Sequence, residues 1–274
     1  SRVCVVEMTN ELLPGVDRDL VRLLQGKLSK DFESIHLSTL VTSVVAEENS
    51  VSVIMESGEE TVEETFDRIL VSVGRTPNSD IIGLDNTKVE LDEGGFVEVD
   101  EQQKTTDSSI LGIGDVVGGP MLAHKASHEA RVAVDGLVGE ETRPSNRTVP
   151  AVVFTDPEIA WCGLTESDAR LKGEKVEVAR FPWGASGRAQ ALGRTNGISK
   201  LVLEGGTGRV LGVGIVGHGA GELIAEGVLA IEMGATAKDL AHTIHPHPTL
   251  SETLMEAAEV FFGTATHVHK RSRK

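Results

Sequence analysis

Arg2-Val3-Cys4-Val5-Val6-Glu7-Met8 opens the chain, and Pro14-Gly15-Val16-Asp17 follows shortly after. The first run is apolar enough for a short strand buried in a parallel sheet, with an acid at its end. The second starts a helix: Asp17 is placed as its N-cap, and Leu20, Val21, Leu24 and Leu28 return at helical spacing. Beyond the helix, residues 34–46 read as strand, broken near Ser38-Thr39. Val51 to Met55 and Glu60 to Phe66 alternate apolar and polar about a turn at Ser57-Gly58. Arg68 to Val73 is predicted as another buried strand, ended by Gly74-Arg75-Thr76-Pro77-Asn78. This order predicts the second part of a Rossmann-like nucleotide-binding α/β domain over residues 1–79. A buried strand entered straight after Ser1 has no earlier element beside it, so an upstream portion is expected to exist outside this chain.

Residues 80–147 form a shorter central segment. Gly94-Gly95 leads into Phe96-Val97-Glu98-Val99-Asp100. A strand is predicted over Ile110 to Ile113, ending at Gly114-Asp115. A loop with two glycines and a proline follows, then a helix from about Leu122 to Leu137, stopped at Gly139. From 148 to 274 the pattern changes to strands first and helices later. Strands are expected at 150–154, 158–162 and 175–181, with a helix capped by Thr165 among them. Residues 198–204 and 209–216 make a hairpin, and helices follow at about 220–233 and 248–261. That is an α+β domain with helices on one face.

Totals narrow the function. The formal net charge is −16, which argues against free nucleic acid as a partner, because phosphate binding wants a basic surface. The run from Lys270 to Lys274 goes against this trend and reads as a solvated tail. No stretch approaches the roughly 20 apolar residues that span a membrane. The 2 cysteines, Cys4 and Cys162, are too far apart for a metal pair or a disulfide framework and fit a reducing compartment.

The densest chemistry lies in Ile244-His245-Pro246-His247-Pro248-Thr249-Leu250-Ser251-Glu252. With Pro248 at the first helical position, His247 stands just before the helix. Glu252 then lies within reach of its ring, an arrangement that fixes a tautomer and raises the basicity of the other nitrogen. Capping, surface and metal-ligand roles for His242, His245 and His247 stay open on spacing alone. A second constellation is Ile113-Gly114-Asp115-Val116-Val117-Gly118-Gly119-Pro120-Met121-Leu122-Ala123-His124-Lys125. An acid at the end of a strand can bind a sugar hydroxyl, and the positive end of the next helix favours electron-rich groups. A plain strand–turn–helix would read the same. Glu7, ending the first strand, can accept from ribose hydroxyls, and no basic cluster stands beside it to hold a 2′-phosphate.

These motifs, in this order, resemble the dihydrolipoamide dehydrogenases of the pyridine nucleotide–disulfide oxidoreductase family. Phe154-Thr155-Asp156-Pro157-Glu158-Ile159-Ala160-Trp161 and Phe181-Pro182-Trp183-Gly184-Ala185-Ser186-Gly187-Arg188 are similar to that family's interface-domain segments. The resemblance implies that His247 and Glu252 are the catalytic pair. It implies that they serve the disulfide and flavin of a partner subunit, His247 taking a proton from the dithiol. It implies that Asp115 contacts the ribitol of FAD, with Met121, Leu122, Ala123 and His124 against the flavin. Val41 would touch adenine of NAD, and Gly74 would lie by the nicotinamide. It further implies a homodimer held by residues 148–274. The expected partner is the lipoyl-bearing acyltransferase of a 2-oxoacid dehydrogenase complex, or the lipoyl protein of glycine cleavage. The location would be cytoplasm, or mitochondrial matrix in a eukaryote.

The chain also departs from the family. It has no Gly-x-Gly-x-x-Gly loop for the FAD pyrophosphate or for NAD, and no closely spaced redox cysteine pair. It therefore reads as a C-terminal portion, inactive by itself. Cys162 is assigned no redox role. Within the family, a glutathione-reductase-like enzyme would need basic residues after Glu7. A mercuric reductase would need cysteines near Lys270. A soluble transhydrogenase, lacking the disulfide, stays open. A non-catalytic dimerisation module is the alternative from another class.

Overall fold

A computed structural model describes residues 1–140 and 146–268. The basic run at Lys270–Lys274 lies outside the described residues. Two compact units emerge, Ser1–Ile69 together with Arg147–Lys274, and Leu70–Asn146. The architecture is mixed α/β and α+β.

The first unit begins with β1 (Cys4–Val6), α1 (Arg18–Asp31) and β2 (Ser34–His36), the two strands pairing in parallel. Ser38, at φ 52, breaks the chain direction where the sequence predicts a break. An antiparallel sheet of β3 (Leu40–Ala46), β4 (Val51–Ser57) and β5 (Glu60–Phe66) follows. The later strands are β6 (Ala151–Val153), β7 (Glu158–Gly163), β8 (Val176–Pro182), β9 (Ile198–Glu204) and β10 (Val210–Gly217). They form one five-stranded antiparallel sheet in the order β6-β7-β10-β9-β8. Its helices are α3 (Glu166–Lys172), α4 (Gly187–Ala191), α5 (Ala220–Glu232), α6 (Ala237–His242) and α7 (Glu252–Phe262).

Strand alternation sends neighbouring residues of this sheet to opposite faces. One face carries Ala160, Leu201, Leu203 and Ile215 into a core shared with Ile224, Leu240 and Leu254. The other carries Ile159 and Val216 against Val16, Leu20, Val21 and Leu24. The second face is therefore covered by α1, an element far away in sequence, rather than left to solvent. An expectation of helices on one face has to be widened accordingly. The apolar stripe on α1 is explained by this sheet.

Asp17 stands at the start of α1 as predicted, but its carboxylate does not cap that helix. It accepts instead from the backbone N–H groups of Glu166 and Ser167, each at 3.1 Å. The start of α3 is thus capped from 150 residues away, as well as by Thr165, whose hydroxyl accepts from Asp168 N–H. The same Asp17 meets Lys200, whose side chain is 1% exposed. Lys200 Nζ lies 2.7 Å from Asp17, 2.9 Å from Asp19 and 2.9 Å from Glu166. Arg180 bonds Asp19 at 2.6 Å and also pairs with Glu166.

Three local expectations fail. Residues 68–73 form no strand, and Leu70 and Val73 are 92% and 91% exposed. A strand exists only through its neighbours' hydrogen bonds, and none of the described residues pairs with this run. The run Ile110–Ile113 in the second unit likewise falls short of a strand. It makes one bridge, Lys104 to Leu111. The last helix begins at Glu252, not Pro248; the chain turns into it over residues 250–253, where Thr253 N–H donates to Leu250 O at 3.1 Å. In addition α6, whose capping box is Thr236 with Asp239, is too short for apolar periodicity to announce.

The second unit is built around α2 (Ala123–Leu137) and the turn Gly114–Val117. Gly112 sits where a Cβ would come within 2.9 Å of both Val99 and Val117. The close approach of those two segments is what the glycine permits.

The cysteines differ in setting. Cys162 is 2% exposed and burial pushes its thiol up to about 12. Cys4 is only half-buried. Since the thiolate is the reactive form, native-state alkylation followed by mass should label Cys4 at least about 100-fold faster than Cys162. Equal rates would show that the sheet around Cys162 opens readily.

Candidate active site

Glu252 is the first residue of α7, and the turn ahead of it places His247 alongside. His247 Nδ1 lies 2.9 Å from Glu252 Oε1. The second oxygen, Oε2, accepts the backbone N–H of Thr249 at 2.7 Å. Burial raises the Glu252 carboxyl, but the Thr249 N–H and His247 outweigh it and hold the group below its usual 4.5. An ionised Glu252 can only accept, so Nδ1 must carry the hydrogen. The neutral imidazole then presents Nε2 as its basic nitrogen. The His247 side chain is 69% exposed while that of Glu252 is 12% exposed. The acid is thus fixed inside and the base faces outward.

His245 has a different setting. Its Nδ1 meets the Thr243 carbonyl at 2.9 Å and its Nε2 meets Glu226 Oε1 on α5 at 2.7 Å. Its side chain is 6% exposed. This buried anchor ties the loop to α5. Among the described residues no group of three or more His, Cys, Asp and Glu converges as a metal site.

In the second unit, Gly114, Gly118 and Gly119 have φ of 78°, 75° and 68°, conformations that suit glycine. The loop they shape is braced from below. Glu129 Oε2 accepts the Gly114 N–H at 2.8 Å, and its Oε1 pairs with Lys125 at 2.6 Å. Lys125 in turn donates to the Gly118 carbonyl at 3.0 Å. The i,i+4 spacing of Lys125 and Glu129 is a visible signal for the pair, but not for the loop it supports. Asp115 is exposed and ion-paired to Arg75 at 3.1 Å, and Arg75 also donates to the Met121 carbonyl at 3.3 Å. No feature of the sequence points to Arg75 in this role. Arg75, Pro77, Ile82, Asp115, Val116 and Met121 line a groove of 490 Å³. Helix α2 starts after Leu122 with no side-chain cap and no acid in its first turn. Its positive end is therefore open to an electron-rich group. Ala123 and His124 occupy that first turn and are exposed.

Of the remaining predicted contacts, Glu7 directly follows β1 and is held below its ordinary range, chiefly by the Thr9 N–H and then by its hydroxyl, both 2.7 Å from Oε1. Val41 lies on β3 and is 37% exposed. Gly74 is exposed, with φ 124°, and nothing would crowd an added Cβ. Glu7, Val41, His247 and Glu252 belong to the first unit, and Gly74, Asp115 and Met121–His124 to the second.

Comparison with known proteins agrees with this anatomy. The pyridine nucleotide-disulphide oxidoreductase profile matches residues 1–130. The dimerisation-domain profile of the same family matches residues 149–258. Dihydrolipoyl dehydrogenase of Vibrio parahaemolyticus is 45% identical, over 97% of this chain and 56% of the relative. That of Vibrio cholerae is 43% identical, over 100% of this chain and 58% of the relative. Among solved structures, LpdA from Mycobacterium tuberculosis superposes with a TM-score of 0.87 at 29% identity, covering 95% of this chain and 56% of that one. The HOCl-induced flavoprotein disulfide reductase RclA from Escherichia coli gives 0.86 at 28%, covering 95% and 59%. The chain belongs to the pyridine nucleotide-disulphide oxidoreductases, a class whose fold it carries. It spans a little over half the length of the curated relatives it matches. Membership implies FAD and NAD as cofactors. The exposed acid, positive-φ glycines and open helix end of the second unit fit a flavin. The ionised Glu7 fits a ribose.

Proposed function

We propose that this chain supplies the acid–base pair and part of the cofactor surface of a dihydrolipoyl dehydrogenase. In that reading the protein oxidises protein-bound dihydrolipoyl groups and reduces NAD. The observation that carries it is the His247–Glu252 pair, with the tautomer set by an ionised carboxylate whose side chain is largely covered. A general base in this state takes the thiol proton and leaves the thiolate that attacks a disulfide. Bound FAD supplies the two-electron carrier between dithiol and NAD. Asp115 would accept from the ribitol of FAD, Met121, Leu122, Ala123 and His124 would hold the flavin, and Glu7, Val41 and Gly74 would serve NAD.

Residues 1–79, 80–147 and 148–274 are then the NAD part, the FAD-contacting segment and the interface domain. The active form is a homodimer, in keeping with the dimerisation profile. We place it in the cytoplasm, as the bacterial relatives suggest; no helix among the described residues is long and apolar enough to cross a membrane.

The test is flavin absorbance and dihydrolipoamide-dependent NAD reduction by the full-length protein. Bound flavin with hydride exchange between pyridine nucleotides, but no dithiol turnover, would replace this reading with a transhydrogenase. A flavin-free dimer would leave only a dimerisation module.

The net charge of −16 favours a basic docking module on a lipoyl-bearing acyltransferase. Affinity for that module should fall as salt rises from 50 to about 300 mM, by about tenfold or more. A salt-independent affinity measured by calorimetry would remove the electrostatic argument.

A further inference from the structure

Beside the catalytic pair runs a hydrogen-bonded chain that ends at Trp183, just past the edge strand β8 of the five-stranded sheet. Thr253 follows Glu252 directly and is 0% exposed. Its hydroxyl lies 2.6 Å from the Leu250 carbonyl and 2.7 Å from Ser199 Oγ on β9. Ser199, also 0% exposed, receives Trp183 Nε1–H at 3.0 Å. A carbonyl only accepts, so the single Thr253 hydrogen goes to Leu250. Ser199 must then donate to Thr253, which leaves its lone pairs for the indole N–H, a donor only. The order Trp183, Ser199, Thr253, Leu250 carbonyl is therefore the one arrangement in which every hydrogen is used.

The far end of this chain cannot move easily. A Cβ on Gly197 would lie 2.5 Å from the Trp183 ring, and one on Gly217 would lie 2.3 Å from it. The indole is thus clasped between two backbones that meet its ring closely. The near end holds the turn of residues 247–252, whose Thr249 N–H and Glu252 carboxylate bond each other.

We propose that Trp183, Ser199 and Thr253 are positioning residues, a relay that sets the Glu252 carboxylate against His247 Nδ1 from inside the sheet. The inference rests on the dithiol-oxidising reading above. Fully paired buried polar chains specify one geometry, and a displacement of about 1 Å at a reacting pair costs on the order of 100-fold.

The test uses the full-length protein carrying Thr253→Val, which keeps the shape of the side chain and removes its hydroxyl. Expected is a fall in kcat for dihydrolipoamide of at least about tenfold, with flavin content and the KM for NAD unchanged, and recovery in Thr253→Ser. Nitrogen-15 shifts of His247 should move from the Nδ1–H tautomer toward a mixture. Should Thr253→Val fail to fold, Ser199→Ala interrupts the same chain at its middle and carries the same expectations. Wild-type kcat together with an unchanged His247 tautomer in the variant that folds would overturn the relay. Absence of dithiol turnover in the unsubstituted protein would sink the proposed reaction, and the tautomer measurement would still decide the relay.

Discussion

His247→Gln in the full-length protein should lower dihydrolipoamide oxidation by about 100- to 10,000-fold, the usual span for losing a positioned general base. Glutamine keeps an N–H that can reach Glu252 Oε1, so the turn and the buried carboxylate retain a partner. What it lacks is a ring nitrogen with a lone pair that can take a proton. Flavin absorbance and electron transfer between the flavin and NAD should stay close to wild type, because the lesion is confined to the thiol proton. Rapid mixing separates these steps: the dithiol half-reaction slows and the NAD half-reaction does not. Dithiol oxidation within threefold of wild type would remove His247 from the chemistry. Glu252→Gln should lie between the two, since it preserves contact but no longer dictates which ring nitrogen carries hydrogen. The sign of the pH effect follows from the carboxyl being held below 4.5 in the folded state. Its contribution to stability is complete above the unfolded value and is lost as pH falls through the lower folded one. Neutral-pH activity should therefore show no limb from Glu252.

Lys200→Met should be the most damaging single change to the fold. Lys200 is 1% exposed and is met by Asp17, Asp19 and Glu166. Removing the cation leaves carboxylates facing each other, with Arg180 serving Asp19 and Glu166 but not Asp17. Breaking a buried pair from one side costs about 3–5 kcal/mol, or on the order of 10 °C in unfolding midpoint for a domain of this size. In the wild type, burial raises Asp17 and Asp19, yet bonds to Lys200 for Asp17 and to Arg180 then Lys200 for Asp19 outweigh it, and both lie below 3.8. Their stabilising contribution is full above 3.8 and is lost as pH falls beneath it. In Lys200→Met the Asp17 carboxyl is left with burial uncompensated by an amine, so protonating it becomes favourable. The deficit between variant and wild type should shrink as pH is lowered from 7 toward 4. A deficit constant with pH in urea unfolding would mean that the lost packing of the lysine stem, not charge, explains the damage.

Local chemistry in the sequence was enough for much of this molecule. Ser57-Gly58 announces the hairpin of β4 and β5, Thr165 with Asp168 announces α3, and Gly205 to Gly208 announce the turn between β9 and β10. Each depends on residues within a few positions of one another. The pairing of His247 with Glu252 was legible for the same reason: five residues of chain leave few ways to separate them. The cofactor roles proposed for Asp115 and Gly74 come from resemblance alone, since no spacing of these residues implies them.

Tertiary structure decided whatever depends on an absent or distant neighbour. Arg68–Val73 has the composition of a strand and none of a strand's partners, so it forms none. Asp17 looks like the cap of α1 and instead caps α3, because packing α1 onto the sheet brings it beside Glu166 and Lys200. Lys200 in a β-strand reads as a surface charge until α1 covers that face. Ser199, one residue earlier, points to the other face of the sheet and meets Thr253 there, and no pattern in either segment predicts the meeting. Side-chain direction along a strand is set locally, but what lies opposite is set by which elements the fold stacks there.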